Sequence, residues 1–412
     1  MKRGLLLSAI CALSLFGAAY KIPEQSVRSV ALSGAYVAGA EDADAAYFNP
    51  ANMAFMDEGQ YFELSFTGAY LPKVKYEGKQ VVGSGYPPPE IPANAKSESQ
   101  KFLIPHLHYV SPKFGNVRFG LSVVTPAGFA KKWSTEPQKW SAQEFTLRTA
   151  EVNPSISYQI SPNFSVGAGV RVLFTDGVIR LNPPHPRDNT KRLFYDMDGD
   201  IQTRLGFNVA ASYKLPGLTL AATYRNKIDL KEKGDVTIVD TLANRTIKTT
   251  GRTKVPLPAT LSLAAAVDVS ERARVEVEYE RTFWSSYKRL VMTFDGASAY
   301  NIDKMKHWDD SNTFRIGLTY KNSDKLTTMY GMAYDQSPVP EGTMGYELPD
   351  SDALILSLGA LYKVTQSMTL GVSYLYDHKF QRTIALGNIN GLDGTFSAGG
   401  AHLVNLSFNY RF

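Results

Sequence analysis

Apolar and polar side chains alternate at the end of the chain, where the last eleven residues read HLVNLSFNYRF. Leu406, Phe408, Tyr410 and Phe412 occupy every second position and alternate with Asn405, Ser407, Asn409 and Arg411. Successive side chains of a strand point to opposite faces, so this segment would have one apolar and one polar face. The same alternation recurs at residues 61–70, 164–174, 201–215, 218–225, 313–320, 352–362 and 368–376. Period two therefore dominates from Gln60 onwards and predicts an all-β fold.

The connections between these strands differ in length in a regular way. Short connections lie at residues 111–116, 160–163, 214–217, 269–273, 321–325 and 363–367. Long connections lie near residues 77–100, 125–146, 182–200, 230–254, 285–312, 336–351 and 378–399. Such a series implies about 14 antiparallel strands, the pattern of an outer-membrane β-barrel with short periplasmic turns and long external loops.

Lipid is then the solvent that the apolar faces meet, including those of Phe408 and Tyr410. A soluble protein of two packed sheets is the alternative, because its strands alternate too. Such a protein would turn the apolar faces inward and leave the small residues Gly167 and Gly169 facing water. An open sheet edge in lipid would leave backbone groups unpaired, so we expect the last strand to pair with the first, near residues 60–70.

Residues 1–19 have the pattern of a secretory signal peptide. Lys2 and Arg3 precede an apolar stretch, and the small residues GAA end the segment at Ala19, after which we expect cleavage. An N-terminal anchor helix is the alternative, but the stretch is shorter than the roughly 20 residues that a spanning helix needs. The one cysteine, Cys11, lies inside this segment. The mature chain would thus have no thiol, which excludes disulfides, thiolate metal sites and cysteine catalysis.

Residues 20–57 show little alternation and are rich in Ala, Gly and Ser. A barrel of about 14 strands is wider than the small ones that their own side chains fill, so its lumen needs a plug. We expect residues 20–57 to be that plug, or hatch, and residues 58–412 to form the barrel. A disordered periplasmic tail is the alternative, although the segment has few of the Glu, Lys and Pro residues typical of disorder.

The residues that follow the predicted cleavage site, YKIPEQSVRSVALSGAYVAGAEDADAAYFNPANMAF, carry the motif Asn49, Pro50 and Ala51. Further distinctive segments are NPSISYQISPNFSVGAGV, ATYRNKIDL, VPLPATLSLAAAV, TFWSS, YDQSPVPE and ELPDSDALILSLGALY. In their order and spacing these segments resemble the FadL-type outer-membrane transporters, which carry long-chain fatty acids and other hydrophobic compounds. The resemblance implies a 14-stranded barrel that is closed by an N-terminal hatch.

The resemblance also implies a route for a hydrophobic solute. The solute would bind in a groove among the external loops, move to a pocket at the hatch N-terminus and leave laterally through a kinked third strand. The pocket would include Tyr20, Lys21 and Ile22, although these first residues differ from the family's better-known openings. Gly120 is the predicted lateral gate, since glycine weakens a strand interior, and a packing glycine is the alternative.

Four apolar side chains of the second long connection are candidates for the capture groove: Phe129, Trp133, Trp140 and Phe145. The alternative for the two tryptophans is anchoring at the level of the lipid headgroups. Arg171 falls on the polar face of its strand, so it is a candidate cation for a fatty-acid carboxylate. Pairing of Arg171 with an inward-facing glutamate is the alternative.

Nothing in the sequence selects an enzyme, a cofactor or a metal. His106 and His108 share a strand face, but no third ligand is evident nearby. The net charge of +5 gathers into no long basic run, so a nucleic-acid partner is not expected.

The function predicted is passive uptake of hydrophobic molecules across the outer membrane of a Gram-negative-type bacterium. A general porin for small polar solutes is the alternative, and a surface adhesin or phage receptor is a third hypothesis. The expected partners are a hydrophobic solute, outer-membrane lipid and, through Phe412, the barrel-assembly machinery. We expect a monomer.

Overall fold

A closed barrel of 14 antiparallel strands forms the body of the protein in the computed structural model, which describes residues 19–82 and 89–412. The predicted signal peptide lies, apart from Ala19, outside the described residues. The barrel strands are β1 Tyr61–Leu71, β2 Gln100–Val110, β3 Val117–Val124, β4 Glu144–Ser161, β5 Phe164–Leu181, β6 Gln202–Leu215, β7 Leu218–Arg225, β8 Thr260–Ser270, β9 Ala273–Thr282, β10 Ser311–Lys321, β11 Leu326–Asp335, β12 Ala353–Lys363, β13 Met368–Lys379 and β14 Ala401–Arg411.

Closure of the barrel follows from the pairing of its last and first strands. Each strand pairs antiparallel with the next, and β14 pairs with β1 in a register that sets Arg411 opposite Tyr61 and His402 opposite Tyr70. Beyond this ladder, the Phe412 N–H donates to the Gln60 carbonyl oxygen at 3.0 Å. A closed sheet has no unpaired edge in lipid. The predicted strand number and closure are confirmed.

The faces of the strands separate as the alternation predicts. On β6, Leu205, Phe207 and Val209 point outward and are exposed, Leu205 by 70%. Asn405 of β14 and Glu278 of β9 point inward and are buried. An apolar exterior and a polar interior suit a barrel that is surrounded by lipid.

The long connections all lie on one side of the barrel, which we call the outer side, and they contain further strands. These are Val74–Val81, Glu90–Pro92, Ala95–Lys96, Gly128–Lys132, Pro184–His185, Asp188–Gly199, Ile228–Asp240, Arg245–Leu257, Arg289–Phe294, Ile302–Met305, Arg382–Ile384 and Leu392–Ala398. The longest pair, Ile228–Asp240 with Arg245–Leu257, stays in register over its whole length. The outer connections are thus largely built from strands that continue the barrel wall, with side chains such as Leu230 and Ile238 buried.

The hatch, residues 20–57, lies inside the barrel and contains three short helical segments. Helix α1 is Val27–Ala31, helix α2 is Ala45–Phe48, and Pro50–Phe55 is a 3-10 helix. Ser26 caps α1, because its side chain accepts a hydrogen bond from the Ser29 N–H. The outer connections contain four short helical segments. They are helix α3, Lys139–Ala142, and the 3-10 turns Trp284–Ser286, Ser298–Tyr300 and Glu341–Thr343.

Helices of the described residues, 19–82 and 89–412, are all too short to cross a bilayer.

Candidate functional site

An apolar cavity of about 700 Å³ lies on the outer side of the hatch. Its lining residues come from the hatch N-terminus, from the outer ends of β4 and β5 and from the outer connections. They are Tyr20, Phe129, Phe145, Thr146, Leu147, Gly177, Ile179, Met197, Gly199, Glu232, Thr253, Val255, Tyr287, Leu290, Lys306, Trp308, Glu347 and Leu348. We call this space the apolar cavity.

Aromatic rings form much of its inner wall. Tyr20 meets Trp284 edge to face, with ring centroids 4.7 Å apart, and Trp284 meets Trp308 at 5.1 Å. Tyr287 contacts Trp308 at 4.8 Å. Phe129 stacks against Phe145, the other two rings of the lining. Offset and edge-to-face contacts of this kind hold rings in fixed positions, so the wall is a rigid apolar surface.

The cavity wall also contains a buried ion pair. The Nζ of Lys306 donates to Oε1 of Glu347, and both side chains are only 6% exposed. Burial raises the pKa of Glu347, but the charges of Lys306 and Lys304 outweigh it and lower this pKa to about 2. Glu232, the other acidic residue of the lining, accepts a hydrogen bond from the Thr175 hydroxyl at 2.7 Å.

The first residues of the hatch form the floor of the apolar cavity. The Tyr20 hydroxyl donates to the Pro256 carbonyl oxygen, and the Tyr20 carbonyl accepts from the Gly128 N–H at 2.9 Å. The Ile22 N–H donates to the Pro126 carbonyl at 2.9 Å. The hatch N-terminus is thus bonded, like a short strand, to the segment that follows β3.

That segment, residues 125–127, interrupts the barrel wall. The Gln25 side chain binds Thr125 twice, accepting from its N–H at 2.9 Å and donating to its carbonyl at 2.8 Å. In the part of the chain that the structure describes, β2 and β3 pair only between Leu107–Val110 and residues 120–123. Residues 100–106 of β2 therefore have no partner on β3. Pro105 lies in this part of β2, which pairs with β1 but not with β3.

Gly120, the predicted gate, lies inside the regular part of β3. It pairs with Val110 on one side and with Ser155 on the other. A Cβ at this position would lie 2.6 Å from the Ala46 Cβ and 2.7 Å from the Met53 sulfur. The hatch packs directly on Gly120, and the interruption of the wall lies beyond it at residues 125–127. A gating role for Gly120 stays a prediction.

A second cavity, of about 670 Å³, lies on the inner side of Tyr20, and we call it the charged cavity. Lys21 pairs here with Glu280, and Arg315 binds Glu278 at 3.1 Å and Glu280 at 3.2 Å. Ile22 also lines this space.

Arg171, the predicted ligand cation, lines the charged cavity and binds Glu151 at 2.8 Å. Both side chains are almost fully buried. Tyr20 thus lines the apolar cavity, and the next two residues, Lys21 and Ile22, line the charged cavity. Of the predicted ligand residues, Tyr20, Phe129 and Phe145 meet in the apolar cavity, while Lys21, Ile22 and Arg171 meet in the charged cavity.

The motif Asn49, Pro50 and Ala51 joins the hatch to the barrel wall. The Asn49 side chain accepts from the Ala51 N–H at 3.2 Å, and its amide donates at 2.9 Å both to the Val37 carbonyl and to the Ser212 hydroxyl. Pro50 begins the 3-10 helix, where its lack of an N–H costs nothing. The Ala51 carbonyl accepts from the Ser165 hydroxyl of β5 at 2.8 Å.

The two predicted groove tryptophans lie apart from the apolar cavity. Trp133 is buried, and its indole N–H donates to the Tyr346 carbonyl at 2.9 Å. Trp140, on α3, stacks with the Arg192 guanidinium 5.7 Å from its ring centre. Neither is among the residues that line the cavity, and their part in solute capture stays a prediction.

Several cavity residues were missed by the sequence reasoning. Tyr287 and Trp308 line the cavity, Trp284 contacts Trp308, and all three belong to the connection between β9 and β10. That connection contains six aromatic residues, which was a usable sign. Lys306 and Glu347 come from different connections, 41 residues apart in the chain. No spacing rule brings such a pair together.

Comparison with known proteins agrees with this architecture. The family model described as "Outer membrane protein transport protein (OMPP1/FadL/TodX)" matches residues 8–412. The long-chain fatty acid transport protein of Escherichia coli K12 is 25% identical over 390 residues, which cover 80% of this chain and 84% of that protein. Outer membrane protein P1 of Haemophilus influenzae is 25% identical over 369 residues, which cover 78% of this chain and 77% of that protein.

Solved structures share the fold. A Pseudomonas aeruginosa FadL homologue superposes with a TM-score of 0.84 at 23% identity, and the match covers 96% of this chain and 100% of the other. The Pseudomonas putida toluene transporter TodX gives a TM-score of 0.71 at 18% identity, covering 97% of this chain and 99% of the other. The chain therefore belongs to the OMPP1/FadL/TodX family of outer-membrane transport proteins, and its barrel lies in the outer membrane.

Proposed function

We propose that this protein carries hydrophobic molecules passively across the outer membrane. The observation that supports this most is the apolar cavity, whose floor at the hatch N-terminus is hydrogen-bonded to the chain around the interruption of the barrel wall. Relatives named for long-chain fatty acids and for toluene support the same class of solute. A solute gains about 0.8 kcal/mol for each CH₂ that it buries, so an apolar cavity serves such molecules better than a water-filled pore.

The proposed route has three stages. A solute first binds against the stacked rings of Phe129 and Phe145 at the outer connections and then reaches Tyr20 at the floor of the apolar cavity. It then leaves sideways at residues 125–127, of which Pro126 lines the charged cavity beside Lys21 and Ile22. Passage farther inward would require an apolar molecule to displace the ion pairs of Arg171 and Lys21. Lateral release into lipid would also keep the solute out of water.

The same proposal assigns the chain's parts. Residues 1–19 would be a signal peptide removed after Ala19, residues 20–57 the hatch, and residues 58–412 the barrel. The terminal Phe412, which is 68% exposed, is available to the barrel-assembly machinery. We propose a monomer that works as a channel and not as an enzyme, and no feature of the site favours a general porin.

Uptake by whole cells tests the proposal. Cells that lack their own transporter of this class would express the protein and receive a radiolabelled hydrophobic solute, with an isotope-labelled sugar as the polar control. The protein should raise uptake of the hydrophobic solute only. In planar bilayers, deletion of residues 20–57 should turn a tight barrel into one that conducts ions. A porin-like conductance of the intact protein would contradict the proposal.

A further inference from the structure

The charges in the wall of the apolar cavity bear on which solutes it accepts. Among the described residues that line this cavity, Lys306 is the one cation, and its ammonium already binds Glu347. Lys304 also acts on the Glu347 carboxylate electrostatically but does not line the cavity. Glu232 adds a second carboxyl group to the lining. The side chains of the described lining residues therefore offer a solute carboxylate no free cation.

Both partners of the pair are held by their surroundings. The Lys306 N–H donates to the Lys288 carbonyl at 2.9 Å, and the Lys306 carbonyl accepts from the Thr343 hydroxyl at 2.6 Å. Gly345 leaves room for the Glu347 carboxylate, which a Cβ at that position would strike. The Lys306–Glu347 pair is thus fixed in the cavity wall by its surroundings. It would have to be broken before Lys306 could bind a ligand.

Uncharged polar groups fit the same wall. Oε2 of Glu347 and Nε1 of Trp308 are buried and have no hydrogen-bond partner among the described residues. A hydroxyl can donate to the first kind of atom and accept from the second, whereas a carboxylate can only accept and is repelled by Glu347. A buried carboxylate that finds no partner costs far more free energy than a buried hydroxyl.

We propose that Glu347, by holding Lys306, makes the apolar cavity take uncharged hydrophobic molecules, such as hydrocarbons and alcohols, in preference to carboxylate anions of the same chain length. This inference rests on the proposed function and names its substrate class. Glu347 would be a specificity-determining residue.

Quenching of tryptophan fluorescence by bromine tests this, since Trp284 and Trp308 lie at the cavity. The protein in maltoside detergent would be titrated with 10-bromodecan-1-ol and with 10-bromodecanoate at about pH 8, where a carboxyl group is ionised. We expect the alcohol to bind about tenfold or more tightly than the anion, because only the anion must be buried without a partner. Replacement of Trp308 by Phe should reduce the quenching, which places the probe in the cavity.

Variants identify the residue responsible. Glu347→Gln should shift the ratio of the two affinities towards the anion by about tenfold, since Lys306 becomes free. Adding Lys306→Gln should remove that shift, and the matched control Glu341→Gln, at an exposed position outside the cavity, should not produce it. An ammonium at Tyr20, expected after cleavage behind Ala19, would favour the anion equally in all these proteins. It therefore cancels from the comparison between variants and works against the preference expected of the unmodified protein.

The outcomes separate the two proposals. Equal or tighter binding of the anion by the unmodified protein would overturn the inference and leave hydrophobic transport standing, and this result does not depend on the folding of any variant. An unchanged affinity ratio in Glu347→Gln, with heat-modifiable migration showing a folded barrel, would overturn the role of Glu347. Absence of quenching by both probes would overturn the inference and the proposed function together.

Discussion

Tyr20 lies edge-on to Trp284, with ring centroids 4.7 Å apart and ring planes inclined by 77°. Tyr20 belongs to the hatch N-terminus and Trp284 to the connection after β9, so this contact joins the hatch to the outer connections. Tyr20 lines the apolar cavity, and the next residue, Lys21, lines the charged cavity, so the hatch N-terminus lies at the boundary between the two spaces.

Replacing Tyr20 by Ala should open that boundary. The variant loses the ring contact and the hydrogen bond to Pro256, so we expect a higher ion conductance in planar bilayers and weaker binding of hydrophobic probes. Tyr20→Phe keeps the ring and should conduct far less than the Ala variant. Equal leaks in the two variants would show that the hydroxyl, and not the ring, closes the boundary.

Replacing Asn49 by Ala should loosen the hatch. The side chain makes three hydrogen bonds, each contributing about 1 kcal/mol, that join Val37, Ala51 and Ser212. We expect conductance bursts from transient undocking of the hatch. Asn49→Asp keeps the oxygen that caps the 3-10 helix but cannot donate, so it should leak as well. If the Asp variant showed no conductance bursts, the bursts of the Ala variant would be due entirely to loss of the cap on the 3-10 helix.

Replacing Gly120 by Ala should destabilise the docked hatch. The added methyl group would lie 2.6 Å from the Ala46 Cβ and 2.6 Å from the Ser155 hydroxyl oxygen. Overpacking of this kind costs about 1–3 kcal/mol, which thermal unfolding on a gel would register. Gly342→Ala is the control, because a Cβ there has nothing within 4 Å. Lost uptake with unchanged thermal stability would instead support the predicted gate.

Replacing Arg171 by Ala should weaken the barrel itself. Among the described residues, the change leaves the buried Glu151 carboxylate with the more distant Arg225, 3.6 Å away, as its one ion-pair partner. Removing one member of a buried pair costs about 3–5 kcal/mol, so the variant should lose heat-modifiable migration at a lower temperature. The double variant Arg171→Met with Glu151→Leu should recover most of the loss. Failure of that recovery would point to a packing role for Arg171.

Acid should weaken the outer connections only below about pH 4.5. The pKa of Glu347 falls from an ordinary 4.5 to about 2 in the folded protein, so its stabilising effect is complete above about pH 4.5 and is lost as the pH falls towards 2. The difference in melting temperature between the unmodified protein and Glu347→Gln should therefore be constant from pH 8 to 5 and shrink below. Tryptophan fluorescence follows this melting, because Trp308 lies beside the pair. A difference that persists at about pH 2 would contradict the assignment.

The sequence predicted the barrel because the alternation within each strand identifies its apolar face and its polar face. The alternation at Leu406, Phe408 and Tyr410 depends only on neighbours in the chain, and so does the contrast between short turns and long connections. The hatch was predictable from the lack of alternation in residues 20–57.

The candidate functional site depended on contacts that no local sequence pattern indicates. Gly120 was chosen because glycine weakens strands, yet the wall is interrupted at residues 125–127, where Gln25 of the hatch supplies the bonds that a neighbouring strand would otherwise make. Trp133 and Phe129 lie four residues apart, but one is buried against Tyr346 and the other faces the cavity. Which neighbour a side chain meets is decided by how the outer connections pack together.

The sequence by itself determined the solvent of each face, the number of strands and the presence of a plug, because these follow from alternation and connection length. Only the tertiary structure decided that Tyr20 and Lys21 line different cavities and that Glu347 holds Lys306. Both depend on segments that are far apart in the chain and come into contact only when the folded barrel packs them together. Local sequence patterns do not indicate such contacts.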